Sequence, residues 1–228
     1  MKKVWMCVCT KDGKQQAEIA AWMVRLDRLW QHTEQAWELD FYWVFNAEPV
    51  EWARNCAVEA FLKTGNDVLW FVDADMLPLP TSHTILDFGA DIVAGPCPMM
   101  KEDSKGELGV RPNLYSGDLD LTGFKIWQPG ETPIAAGTAN MTIARRVLED
   151  PKMRCNGGGV FRRVYGDMGQ VMVGEDVDFC VRAQKQGYTF EVAYDAQMGH
   201  VKPVDLDEAF TNMKKQVERG MAFRAQNG

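Results

Sequence analysis

Short apolar runs alternate with helix-period stretches through the first part of the chain, and that alternation limits the folds open to it. Residues 4–10, 41–45 and 68–72 read as strands. Between them, residues 15–37 carry Ile19, Trp22, Met23, Leu26 and Trp30 at helical spacing. Residues 51–63 place Trp52, Cys56, Ala60 and Leu62 near one helix face, and Gly65 stops that helix. Strand–helix–strand repetition is the pattern of a parallel sheet with crossover helices on its faces. The expected fold class is α/β, with a mixed, mostly parallel, Rossmann-like central sheet and flanking helices.

The later part of the chain reads differently. Pro78 and Pro80 break regular structure, Thr81 and Ser82 open a short helix through residue 88, and residues 92–94 form a short strand ended by Gly95-Pro96. Residues 97–133 are rich in Gly, Pro, Asp and Ser, which predicts loops and short antiparallel strands. Residues 133–143 read as one extended segment, followed by a helix at 144–148. A glycine-rich stretch runs to Gly174, a helix covers 175–186 and stops at Gly187, a strand covers 188–194, and a surface helix covers 206–223. The change is from a regular strand–helix first half to an irregular second half and marks no domain boundary, so 1–228 is expected to be a single domain, in keeping with its 228 residues.

Charge and cysteine usage exclude some classes. A net charge of -7 argues against a general affinity for nucleic acid or an anionic membrane. Six cysteines contain no C-x-x-C pair, so a structural zinc site is not expected, and they read as small buried hydrophobes. The apolar run after Met1-Lys2-Lys3 is too short for a signal peptide and is followed at once by Lys11, Asp12 and Lys14. No apolar run reaches transmembrane length. The expectation is a cytoplasmic protein with no stable membrane association.

Against that background two acids stand out. The run Val68 to Val72 ends in Asp73-Ala74-Asp75. A buried strand has no use for two charges at its tip, but ligands bind beyond strand carboxyl ends in open α/β sheets. Paired carboxylates there suit a divalent cation and the phosphates it carries. The plain alternative is that they cap the next turn, since a lone D-x-D is common. Arg54-Asn55, one turn into the preceding helix, offers a guanidinium fork for phosphate or a base edge, or simply a solvated helix face. Gly174-Glu175-Asp176 opens a helix, where acids are favourable on electrostatic grounds alone and where a carboxylate can also act as a general base. His200 follows a strand in a loop and can join the acids as a metal ligand, whereas His32 and His83 occupy ordinary helix positions.

The order and spacing of Arg54-Asn55, Asp73-Ala74-Asp75, Gly137-Thr138-Ala139-Asn140 before Arg145-Arg146, Gly174-Glu175-Asp176-Val177-Asp178, Gly187 and His200 resemble those of GT-A glycosyltransferases. The likeness is to small family-2-like members of bacteria and phages and covers roughly residues 50–203. It implies a GT-A fold whose residues 1–96 form a nucleotide-binding half and 97–228 an acceptor-binding half with a C-terminal helix. It implies Mn²⁺ or Mg²⁺ held by Asp73, Asp75 and His200, with Asp75 the direct ligand and Asp73 also near the ribose. Thr10, Arg54 and Asn55 would lie beside a nucleoside-diphosphate sugar, a UDP-sugar by preference. Asp176 would be the base of an inverting transfer, with Glu175 contacting acceptor or sugar. Residues 137–140 would face sugar and acceptor, and the 155–174 loop would close over the donor. The acceptor hydroxyl stays open: a glycan, a small molecule or a hydroxylated base in phage-type modified DNA. The alternatives are a haloacid-dehalogenase-like phosphohydrolase, which usually carries its acids on the first strand, and a non-catalytic nucleotide-sugar-binding protein.

Overall fold

A computed structural model describes residues 1–10, 17–32, 37–45, 48–102, 108–155 and 158–201. The chain opens with β1 (Lys2–Cys9), α1 (Ala17–His32), β2 (Trp37–Val44), α2 (Val50–Phe61) and β3 (Val68–Asp73). A short β4 (Met76–Pro78) and β5 (Ile92–Ala94) follow, then the hairpin strands β6 (Pro98–Glu102) and β7 (Leu108–Pro112). Next come β8 (Leu114–Ser116), β9 (Lys125–Ile126), β10 (Pro133–Ala136), β11 (Asn140–Ala144) and α3 (Arg145–Glu149). The described part closes with β12 (Val164–Tyr165), β13 (Val171–Val173), α4 (Glu175–Lys185), β14 (Phe190–Val192) and β15 (Met198–His200).

The fold is α/β, with a six-stranded central sheet in the order β14-β5-β11-β3-β1-β2. β2, β1 and β3 are mutually parallel, β14 is parallel to β5, and β11 runs antiparallel between β3 and β5. Five strands thus point one way and one returns. Side-chain alternation explains why the inner strands are apolar throughout. Val4, Met6 and Val8 join Trp70 and Val72 on one face, against Ile19, Trp22, Met23 and Leu26 of α1. Trp5, Cys7 and Cys9 join Leu69 and Phe71 on the other, against Ala53, Ala57, Val58 and Phe61 of α2 and Val177, Phe179 and Cys180 of α4. A sheet covered on both faces needs strands that are hydrophobic at every position. Because α1 and α2 lie on opposite faces, chain order reverses across β1, and the crevice beyond the carboxyl ends of β1 and β3 is a topological switch point. Cys9 and Asp73 are paired there.

Several sequence expectations change. Residues 15–37 are not one helix: α1 ends at His32 and Trp37 opens β2. Trp37, Leu39, Phe41 and Trp43 alternate with more exposed Glu38, Asp40 and Tyr42, the period-two pattern of an edge strand. Pro78 does not break structure; it lies in β4 and pairs with Met198. The extended stretch 133–143 is two strands in different sheets, separated by a turn. The helix expected at 206–223 lies outside the described residues. The cysteines are free thiols, with Cys7, Cys9, Cys97 and Cys180 buried, and burial pushes the Cys180 thiol up to about 12. Among the described residues no helix is long and apolar enough to cross a membrane.

One buried amide holds the sheet's antiparallel strand to its neighbours. Asn140 accepts a hydrogen bond from Trp70 Nε1 at 2.9 Å and donates to the Ala196 carbonyl at 2.7 Å. Gly95 makes room for it: a Cβ at that position would stand 2.0 Å from Asn140 Nδ2 and 2.3 Å from the Ala196 oxygen. Gly95→Ala must displace the amide and break its bonds. The expected loss is about 3 kcal/mol or more, read as a lower urea midpoint.

Candidate active site

Strand parity decides where the first acid points. Asp73 follows Leu69 and Phe71 on the face covered by α2 and α4, so its carboxylate turns toward those helices. There it meets Arg54, whose Nη2 lies 3.6 Å from Asp73 Oδ1. Arg54 Nη1 is hydrogen-bonded to Glu175 Oε1, so one guanidinium joins the end of β3 to the start of α4. Arg54 is 4% exposed and Glu175 6%, and the neighbouring carboxylates keep the guanidinium charged despite burial. The fork expected to face phosphate is therefore engaged by carboxylates beneath the surface. Arg163 completes this layer, with Nε 3.2 Å from Glu51 Oε2 and 3.6 Å from Glu175 Oε2.

Asp75 lies beyond the strand, in a turn, and is more exposed than Asp73. Its Oδ2 is 2.8 Å from His200 Nε2, and its backbone carbonyl accepts a hydrogen bond from the Val201 N–H at 2.8 Å. The other ring nitrogen of His200 is 3.0 Å from the Pro98 carbonyl, which fixes the imidazole from behind. β15 reaches this place by pairing with β4, His200 opposite Met76. Two residues far apart in sequence, one after β3 and one ending β15, thus meet.

Asp176 sits in the first turn of α4 with Glu175 and Asp178. Its Oδ1 accepts a hydrogen bond from the Val177 N–H. Two glycines leave space for the carboxylate: a Cβ on Gly174 would stand 2.7 Å from Asp176 Oδ1, and one on Gly137 3.4 Å from Oδ2. Burial raises the Asp176 pKa to about 6, against the pull of Arg54 and with added repulsion from Glu175. Burial likewise raises Asp73, partly offset by Arg54 and reinforced by Asp75. A pKa of about 6, as at Asp176, suits a carboxylate to proton transfer near neutral pH.

The remaining expected residues divide. Thr10 is buried at the end of β1, its N–H donating to the Val44 carbonyl at 2.9 Å. Asn55 does not face the crevice contacts of Arg54. Its Oδ1 accepts from the N–H groups of Val160 and Phe161, and its Nδ2 donates to the Phe161 carbonyl at 2.9 Å. It clamps the loop to α2 one residue from Arg54. Sequence reasoning missed Arg163, Glu51 and the Asn113 side chain, which donates to the Gly137 carbonyl at 3.2 Å and shapes the 137–139 turn. It also missed that the Thr138 Oγ1 in that turn is buried without a hydrogen-bond partner. Arg162-Arg163 in a glycine-rich stretch was the available signal for Arg163.

The donor chemistry can be tested against a divalent cation. Among the described residues no three His, Cys, Asp or Glu side chains converge as a ready-made metal cage. Asp75 and His200 do meet, offering carboxylate oxygen and imidazole nitrogen, a set that suits Mn²⁺. Mg²⁺ habitually takes one or two carboxylates and fills its shell with water and substrate phosphates. The local balance also favours a cation: Glu51, Asp73, Asp75, Glu175 and Asp176 outnumber Arg54 and Arg163. These residues fit a metal that arrives with a diphosphate.

No family model matches the sequence, and no curated protein matches it. Among solved structures, A197 from STIV is similar over 89% of this chain and 87% of its own, with a TM-score of 0.54 and 18% identity. The inositol-1-phosphate CTP transferase from T. maritima matches with a TM-score of 0.43 and 7% identity, over 94% of this chain and 96% of its own. CMP:2-keto-3-deoxy-manno-octonic acid synthetase, complexed with CTP, matches with a TM-score of 0.43 and 9% identity over 100% of both chains. The first likeness speaks for the fold alone.

Proposed function

We propose that this protein transfers a sugar from a nucleoside-diphosphate sugar, a UDP-sugar by preference, to an acceptor hydroxyl with inversion. One observation carries the reading. The Asp75–His200 pair and Asp73 border the switch-point crevice, and Asp176, with its raised pKa, stands at the helix start that Arg54 joins to Asp73. A phosphate-and-metal subsite beside a tuned base is what glycosyl transfer with a diphosphate leaving group requires.

In this reading residues 1–96 hold the nucleotide and 97–228 the acceptor. Thr10 and Asp73 line the nucleotide at the carboxyl ends of β1 and β3. Asp75 and His200 would hold Mn²⁺ or Mg²⁺, with Asp73 close by. When bound, the ion supplies charge stabilisation to the departing diphosphate. Asp176, deprotonated above pH 6, takes the proton of the acceptor hydroxyl as that oxygen forms its bond to the anomeric carbon. Arg54 is a positioning residue: it holds Glu175 and Asp73 in register and tempers the Asp176 pKa. The turn that carries the buried Thr138 is tied to both acids: the Ala139 carbonyl accepts from the Asp73 N–H, and Gly137 borders Asp176. Arg163 brings the loop over the site and helps to keep out the water that would hydrolyse the donor.

The test is a panel of nucleotide sugars with Mn²⁺ or Mg²⁺, followed by release of the nucleoside diphosphate. Wild type turns over one donor class. Asp75→Ala loses about 100-fold or more in kcat/KM, because the carboxylate and its hold on His200 go together. No donor bound or hydrolysed with either ion would sink the reading.

A further inference from the structure

On the outer side of α2 lies an open cleft of about 940 Å³. Tyr42 of the edge strand and Trp52 of α2 form its aromatic part and are 38% and 52% exposed. Lone exposed aromatics are ordinary, but two in one cleft are not. Tyr42 is also held rigid, since its ring stacks on Trp5 with centroids 4.4 Å apart. The opposite wall comes from the loop clamped by Asn55. Gly159 allows that close approach, because a Cβ there would stand 2.4 Å from Asn55 Nδ2. An ion pair between Arg154 and Glu59 crosses the cleft, and Lys63 ends it.

We propose that this cleft binds an oligosaccharide, the non-reacting part of a glycan acceptor. The choice of an acceptor rests on the glycosyl-transfer reading; saccharide binding itself does not. Sugars present flat C–H faces and a fringe of hydroxyls that both donate and accept. Rigid aromatic rings take the first at small ordering cost. The paired carboxylate and guanidinium offer acceptors and donors for the second. A protein partner would need about 800 Å² of complementary surface, far more than two rings supply. Of the two cations in the cleft, Arg154 is already paired with Glu59, so a nucleotide stacked on Trp52 would find only Lys63, at the far end, for its phosphates. From Trp52 to the end of α2 at Phe61 the cleft follows about 14 Å of helix axis, which suits an extended chain of sugars. Its upper end is next to Glu51, and Glu51 touches the same Arg163 that meets Glu175. A glycan lying there would have one end at the start of α2, from which Glu51 and Arg163 lead to Glu175 at the start of α4.

Saturation-transfer NMR with a panel of short neutral and acidic oligosaccharides, without nucleotide sugar or metal, tests this. Wild type and Asp75→Ala are expected to bind one saccharide class with equal affinity. Trp52→Ala, with an unchanged melting temperature, is expected to bind it tenfold or more weakly, and Trp52→Phe to recover part of the loss. Binding of no oligosaccharide, wild-type affinity in Trp52→Ala, or UMP and CMP competing for the same resonances would overturn it. Saccharide binding that depends on Trp52 alongside a donor panel without turnover supports the cleft and rejects the transfer reading.

Discussion

Asp176→Asn is expected to abolish transfer while making the protein more stable above pH 6. The folded-state pKa of Asp176 is raised to about 6, from the 3.8 of an ordinary aspartate. A raised carboxylate pKa means that the fold favours the neutral form, so ionisation costs stability. Below the ordinary value both folded and unfolded chains are protonated and nothing is lost. The penalty grows as pH rises through the window between the two values and is constant above the upper one. Its ceiling is about 3 kcal/mol, from roughly 1.4 kcal/mol per pKa unit, and solvent reaching the carboxylate lowers that to about 1–3 kcal/mol. Asparagine keeps the shape and can accept the Val177 N–H bond, but it never ionises. Urea denaturation of both proteins should coincide at pH 4 and diverge at pH 8 in favour of the variant. Transfer by wild type should rise with pH through about 6 and then level, while the variant loses about 100- to 10,000-fold in kcat, the usual worth of a general base. A variant that is active, or less stable than wild type at pH 8, would remove Asp176 from this role.

Arg54→Met carries the largest expected stability loss. The guanidinium is buried between Glu175 and Asp73, and Glu175 is itself buried. Removing one member of such a set strands a charge in the interior, at a cost of about 3–5 kcal/mol. Adding Glu175→Gln should recover part of that loss, since the stranded charge disappears with it. The same substitution has a readout that a packing role would not move. Arg54 opposes the rise in the Asp176 pKa. Without it the acid limb of the pH–rate profile should shift to higher pH, while Arg54→Lys should hold the limb near its place. An unshifted limb in Arg54→Met would leave the arginine as scaffold only.

How far these features could be read in the sequence follows from how local they are. β1 and β3 are continuous apolar runs because both their faces are covered, and they were legible. β2 is an edge strand, and its alternation blurred into the tail of the preceding helix. Asp73, Asp75, Asp176 and His200 stand beside strand ends or a helix start, where charge is conspicuous. Arg54 was visible as a residue but not as a buried one, because its partners lie on β3 and α4, remote in sequence. Asn55, Asn113 and Arg163 share the composition of any loop or helix surface. Their roles come from distant backbone and carboxylate partners that no local pattern encodes.

Arg54 and Asn55 are neighbours on one helix, pointing about 100° apart, and each grips something different. One holds the acids at the sheet's end, the other the backbone of Val160 and Phe161, whose ring stacks on Phe179 of α4. The helix is thus an axle with two spokes. A rotation that drew the loop inward would swing the guanidinium by the same angle, so loop position and the alignment of Glu175 are geared together. Activity should therefore respond to substitutions beneath α2, at Ala53, Ala57 and Val58, that touch neither the acids nor the loop.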